Sequence, residues 1–164
     1  MFELYLIRHG LAGKRLDDEA KDQLRPLTKK GKEKMKNIAK GLNKLNITFD
    51  VILTSPLVRA EETAEIISAH CGMSKAPKVT ELLMPNASYQ SLTKSLNQLK
   101  EPGRIAIVGH EPFLSGFVSF CLSKSNHSFI KIKKGGVLML EIDKVLKPER
   151  CKLCWLMEPR HIIN

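Results

Sequence analysis

Acidic residues are scarce in this chain. Its 17 Asp and Glu stand against 27 Lys and Arg, a formal charge of +10. Aromatic residues make up 5%, and none falls between Tyr5 and Phe49, the interval that also holds the densest lysine run. A basic surface without aromatics has no platform for stacking bases, which argues against a nucleic-acid partner. Long hydrophobic runs are also missing. No stretch approaches the roughly 18 apolar residues of a membrane span. The first apolar run is broken at Glu3 and ends at Arg8, with no basic region and apolar core of a signal peptide before it. The expectation is a cytoplasmic protein with reduced thiols and no membrane partner. Cys151 and Cys154 form a lone CxxC with no second pair to complete a zinc site, and CKLCWLM reads as a strand rather than a redox helix start. No metal and no cofactor are expected.

What remains describes an ordinary globular chain of 164 residues, 43% hydrophobic, long enough to bury one core. Its size suggests a monomer and one domain over residues 1–164. Lys29, Lys30, Lys32, Lys34, Lys36, Lys40 and Lys44 cover one side of a helix. Leu27, Gly31, Met35, Ile38, Ala39, Leu42 and Leu45 fall on the other. Such a pattern is a solvated helix face, and the excess charge favours acidic partners or substrates.

Buried-strand runs occur at Phe2–Ile7, Val51–Leu53 and Ile105–Val108, with further extended segments at Lys78–Leu82, Gly136–Ile142 and Lys152–Met157. Between them lie helical faces: Leu57, Ala60, Ala64, Ile67 and Cys71; Tyr89, Leu92, Leu96 and Leu99; Phe113, Phe117, Val118 and Cys121. Strands alternating with helices predict an α/β three-layer sandwich, a mostly parallel sheet of about six strands with helices on both faces. FIKIKK, from Phe129, is either an exposed edge strand or part of a partner surface.

Ligands in such sheets bind at the carboxyl ends of strands. The first strand ends in Arg8-His9-Gly10, the second in Thr54-Ser55-Pro56 followed by Arg59, and the run at 105–108 in Gly109-His110-Glu111-Pro112. Ser55 is a candidate helix N-cap with Pro56 in the first turn, and His110 precedes Pro112 in the same manner. Arg8 and Arg59 are permanently charged forks suited to phosphate oxygens. A histidine beside two arginines has its cationic form disfavoured, so His9 should be neutral at pH 7 and nucleophilic towards phosphorus. His110 could hydrogen-bond a phosphoryl oxygen in the transition state.

LYLIRHGLA (4–12), TSPLVRAEETAE (54–65) and IVGHEP (107–112), in that order, resemble the phosphoglycerate-mutase-like histidine phosphatase superfamily. The small size, LRPLTKKG (24–31) and SPLVRAEET further resemble its SixA-type phosphohistidine phosphatases. The resemblance implies a phosphoglycerate-mutase-like fold and a metal-independent phosphatase. His9 would be the nucleophile that is transiently phosphorylated, and Arg8, Arg59 and His110 would form the phosphate pocket. It adds Arg25 as a further phosphate contact and Gly10 as the point of close backbone approach. Relatives that cleave phosphate monoesters usually place an acid near the pocket, for which Glu81 in VTELLMPN is the nearest match. Asp22 and Glu111 are further candidates, Glu111 also reading as an acid at a helix start.

An imidazole leaving group has a conjugate acid of pKa roughly 6.5 and needs an acid far less than an alkoxide does. With little spare length between 82 and 104 for a lid, the expected substrate is phosphohistidine on a protein, such as a histidine-phosphotransfer domain in signal transduction. The alternatives are a phosphatase of small phosphomonoesters and a non-catalytic module that binds phosphate or a phosphoprotein.

Overall fold

A computed structural model of the chain describes residues 1–73, 75–99 and 103–163. The apolar run at the amino end forms β1 (Phe2–Arg8), and the short helix α1 (Glu19–Gln23) precedes α2 (Lys29–Lys44). Then come β2 (Val51–Thr54), α3 (Val58–His70), β3 (Lys78–Val79), a 3-10 turn at Glu81–Leu83 and α4 (Tyr89–Asn97). The chain continues through β4 (Arg104–Gly109), α5 (Phe113–Ser123), β5 (Val137–Ile142), β6 (Cys151–Met157) and α6 (Pro159–Ile162). The strands make one six-stranded sheet in the order β3-β2-β4-β1-β5-β6. All neighbours from β3 to β1 are parallel, and β5 runs antiparallel to both β1 and β6. The fold is the expected mostly parallel α/β sandwich.

Leu4-Tyr5-Leu6-Ile7 shows why the first strand is a continuous apolar run: alternate residues enter opposite layers, and both layers are dry. Leu4 and Leu6 join Ile105, Ile107, Leu92, Leu96 and Phe117 beneath α4 and α5. Tyr5 and Ile7 join Ile52, Val108, Met35, Ile38 and Ile67 beneath α2 and α3, with Ile162 of α6. The helix after β1 therefore covers one face and the helix after β4 the other. The neighbours β1 and β4 part company at their carboxyl ends, which makes this the topological switch point.

Several expectations need correction. Leu45 is half exposed, because it caps α2 beyond the last turn that packs. The strand expected over 78–82 stops at Val79, since the Thr80 hydroxyl accepts from Leu82 N (3.3 Å) and turns the chain into the 3-10 turn. Helix α3 starts only at Val58, capped by Leu57, so Ser55 is not its N-cap and Pro56 precedes its first turn. FIKIKK forms no strand; it is a loop with Ile132 fully buried and Phe129 exposed. In the interval 82–104 the described residues hold the end of the 3-10 turn and α4, residues 100 to 102 lying outside them. No helix among the described residues is long and apolar enough to cross a membrane.

Candidate active site

Sheet register places the site. Arg8 lies opposite Gly109, and Thr54 opposite Val108, so the three inner strands end level. Backbone bonds carry this one residue further: His9 N–H donates to Gly109 O (3.0 Å) and Ser55 N–H to Val108 O (3.1 Å). His9, His110 and Ser55 thus leave the sheet side by side. Arg8, His9, Arg25, Arg59 and His110 all line one cavity of about 780 Å³.

His9 is 6% exposed and its Nδ1 lies 2.7 Å from the carbonyl oxygen of Gly10. A carbonyl can only accept, so Nδ1 carries the proton and Nε2 keeps its lone pair. Burial, followed by Arg59, Arg8 and Lys134, pushes the imidazole pKa down to about 4, against the pull of the Gly10 carbonyl. The ring of His110 stands 5.0 Å from that of His9, centroid to centroid. His110 Nε2 meets the Ser55 hydroxyl at 2.8 Å, whereas its Nδ1 is buried without a partner. Burial first, then His9 and the arginines, lowers its pKa to about 3. Both histidines are neutral at pH 7.

The protein holds Arg8 and Arg59 through Nη1 and Arg25 through all three guanidinium nitrogens. Arg8 Nη1 donates to Ile132 O (2.8 Å), and the Ile132 N–H donates in turn to Glu111 Oε1 (3.3 Å). Arg59 Nη1 donates to Asp22 O (2.8 Å), and Arg25 Nε to Asp22 Oδ1 (2.8 Å). Arg25 Nη1 also donates to Gly13 O (2.6 Å). The Nε atoms of Arg8 and Arg59 are buried and unpaired. With His110 Nδ1 they make three unsatisfied buried nitrogens around one neutral imidazole. Buried polar groups normally have partners, so this cluster calls for an anionic ligand.

The acids divide differently from the sequence expectation. Glu81 is exposed on the 3-10 turn and does not line the cavity, though Met84, Pro85 and Asn86 just beyond it do. Asp22 lines it as the clamp between Arg25 and Arg59. Its hydrogen bonds from Arg25 and then from Leu16 N–H hold its carboxyl down to about 2, so it stays ionised. Glu111 also lines the cavity, accepting from the Ser115 hydroxyl and Ile132 N–H. Gly10 is not on the cavity wall: a Cβ there would meet Met35 Cγ at 2.6 Å, so what its missing side chain admits is helix α2.

Two residues hold the site in ways that the sequence does not mark. Ser55, a candidate cap by its position, braces His110 instead. Thr63, one helical turn after Arg59, donates to Arg59 O (2.7 Å) and accepts from Gly10 N (3.1 Å), tying α3 to the end of β1. Cys151 is buried, Cys154 is exposed, and both are free thiols. Among the described residues no cluster of three or more His, Cys, Asp or Glu offers a metal-ligand set.

Comparison with known proteins bears on the family and the fold. An uncharacterised protein of Picosynechococcus sp. is 36% identical over 140 residues, covering 84% of each chain. The phosphohistidine phosphatase SixA of Escherichia coli is 26% identical over 119 residues, 71% of this chain and 72% of that one. The solved protein histidine phosphatase SixA complexed with tungstate superposes with a TM-score of 0.83 at 22% identity, over 98% of this chain and 99% of that one, and so shares its fold. The family model described as histidine phosphatase superfamily (branch 1) matches residues 4–85, half of the sequence and the segment that carries His9 and Arg59, and the chain belongs to that superfamily.

Proposed function

We propose that residues 1–164 form a single phosphatase domain that removes phosphate from phosphohistidine on a protein, through a covalent intermediate on His9 and without a metal. The observation that carries this is the set of three unpaired buried nitrogens around a neutral His9 whose proton sits on the far nitrogen. Nε2 attacks phosphorus as the substrate's P–N bond breaks, and the departing imidazole takes its proton from solvent. The Nδ1–H···O=C bond to Gly10 stabilises the positive charge left on the phosphorylated ring. Water then attacks phosphorus, the P–Nε2 bond breaks, and inorganic phosphate leaves with His9 restored. Arg8, Arg25 and Arg59 neutralise the phosphoryl oxygens. In this reading the Ser55 hydroxyl, which also accepts from the Leu57 N–H (3.3 Å), gives its one proton to His110 Nε2 rather than to the weaker acceptor Met84 Sδ (3.9 Å). That leaves His110 Nδ1–H to donate to the phosphoryl group. No step requires a general acid, which suits a pocket whose Asp22 is locked as a carboxylate.

The test mixes wild type and His9→Ala with a phosphohistidine protein carrying radioactive phosphate, in EDTA, followed by denaturing-gel autoradiography. Loss of substrate label, with a transient acid-labile label on the wild type alone, is the expected result. Substrate label that persists equally with both would reject this substrate, and bound phosphate without turnover of any ester would indicate the binding module. The small-phosphomonoester reading draws on one observation, that Glu111 lines the cavity next to His110. It would be favoured if Glu111→Gln slowed alkyl-phosphate hydrolysis about a hundred-fold more than phosphoramidate hydrolysis. Glu81→Gln, outside the cavity, should alter neither rate by more than about two-fold, since surface changes away from a site have little effect.

A further inference from the structure

A second cavity, of about 460 Å³, shares Arg8 and Lys134 with the His9 cavity. Its apolar part is made by Leu11, Gly31 and Met35, and its charged part by Lys30 and Lys34 of α2 together with the Lys133-Lys134 turn. That turn is fixed to the end of β1: Gly135 N–H donates to Arg8 O (3.0 Å) and Arg8 N–H to Gly136 O (3.1 Å). The apolar part is equally fixed, since Thr28 N–H donates to Leu11 O (2.9 Å) where α2 begins. No carboxylate lines this cavity, whereas Asp17, Glu19, Asp22 and Glu111 line the first. Lys133 is paired with Glu158 (2.9 Å), but among the described residues Lys30, Lys34 and Lys134 make no ion pair. The absence of any aromatic in the lining leaves nothing for a base to stack on. Leu11, 37% exposed above the buried Gly31 and Met35, offers an apolar contact that a bare phosphate would not use. Charge and shape together fit carboxylates flanking an apolar side chain.

We propose that this cavity is a docking subsite for an acidic segment of the phosphorylated protein. The segment lays an apolar side chain on Leu11 and its carboxylates on Lys30 and Lys34, while the phosphorylated side chain enters the His9 cavity past Arg8 and Lys134. The inference rests on the protein-substrate reading above and adds to it what the substrate carries beside its phosphohistidine.

The experiment is fluorescence anisotropy with a short unphosphorylated fluorescein-labelled peptide, one leucine set between glutamates, titrated with the full chain. Lys30→Glu/Lys34→Glu should weaken binding by about ten-fold or more. Lys36→Glu/Lys40→Glu makes the same charge change on exposed positions of the same helix outside the cavity, and should leave binding within about two-fold. Glutamate is as good a helix former as lysine, so both variants fold. The KM for a phosphohistidine protein should rise in the first variant with kcat unchanged. Equal losses in both variants, no loss in either, or tighter capture of a single-stranded RNA oligonucleotide by the same cations would each overturn the subsite. Because the peptide bears no phosphate, His9→Ala must bind it as wild type does. Peptide binding at Lys30 and Lys34 without hydrolysis of any phosphoprotein would sink the substrate reading alone; hydrolysis without peptide binding would sink the subsite alone.

Discussion

His9 owes its neutrality first to burial and only then to charge. Two neighbouring arginines were reason enough to expect a lowered pKa, but desolvation of a side chain 6% exposed is the larger cause, with Arg59, Arg8 and Lys134 adding to it. The consequence is measurable in nitrogen-15 NMR of the imidazole, assigned by comparison with His9→Ala. The resonances should titrate with a midpoint near 4 and show the Nδ1–H tautomer above it; a midpoint near the ordinary 6.5 or the opposite tautomer would refute the nucleophile assignment. Arg8, His9, Arg59 and His110 were legible in the sequence because strand ends in a parallel sheet are level, and position along a strand is what hydrophobic runs report. Arg25, Asp22 and Glu81 sit on connections whose paths no periodicity encodes. The connection after β1, with α1 in it, folds back so that Asp22 grips two arginines, while the 3-10 turn after β3 carries Glu81 outward. Ser55 was legible in place but not in partner, since its bond to His110 joins residues just past the ends of separate strands.

At the level of elements, helix α2 shows which local rules packing overrides. Its lysine stripe and its buried Met35, Ile38, Ala39 and Leu42 follow the 3.6-residue period closely, and Thr28 caps it through Gly31 N (2.9 Å). Gly31 violates propensity, because glycine inside a helix is worth about 1 kcal/mol less than alanine. The violation is forced by the loop after β1: a Cβ at Gly31 would stand 2.0 Å from Leu11 O. Gly31→Ala should therefore destabilise the protein by up to about 2 kcal/mol in urea unfolding, overpacking of about 1 to 3 kcal/mol outweighing the propensity gain of about 1. A stabilised variant would show that the approach of α2 to β1 is looser than described. The same contest explains the misread elements. β3 is short because Thr80 finds a local partner, and FIKIKK stays out of the sheet because its backbone is committed to Arg8 and Glu111. Apolar periodicity reports burial, and none of these three hydrogen bonds leaves a mark on it.

For the molecule as a whole, the site is a reservoir of acid sensitivity. His9 and His110 have folded pKa values of about 4 and about 3, both below the roughly 6.5 of the unfolded chain. Between those limits the unfolded state binds more protons, so the stability these groups contribute is fully present above pH 6.5 and is lost as pH falls from there towards 4 for His9 and 3 for His110. The cost on going from pH 7 to pH 5 reaches up to about 2 kcal/mol for each histidine. Asp22, held at about 2, extends the loss below the unfolded carboxyl range, and a chain already at +10 gains repulsion with every proton. Thermal unfolding should be followed in a phosphate-free buffer, because an anion bound only by the folded state would raise Tm by mass action and mask the effect. Tm should fall clearly between pH 7 and pH 5, and His9→Asn/His110→Asn should narrow that fall whatever its effect at pH 7. An equal Tm at both pH values in wild type, or an unchanged difference in the double variant, would mean that the two imidazoles accept protons in the folded site as readily as in water, and the geometry of a dry, neutral nucleophile would fail with it.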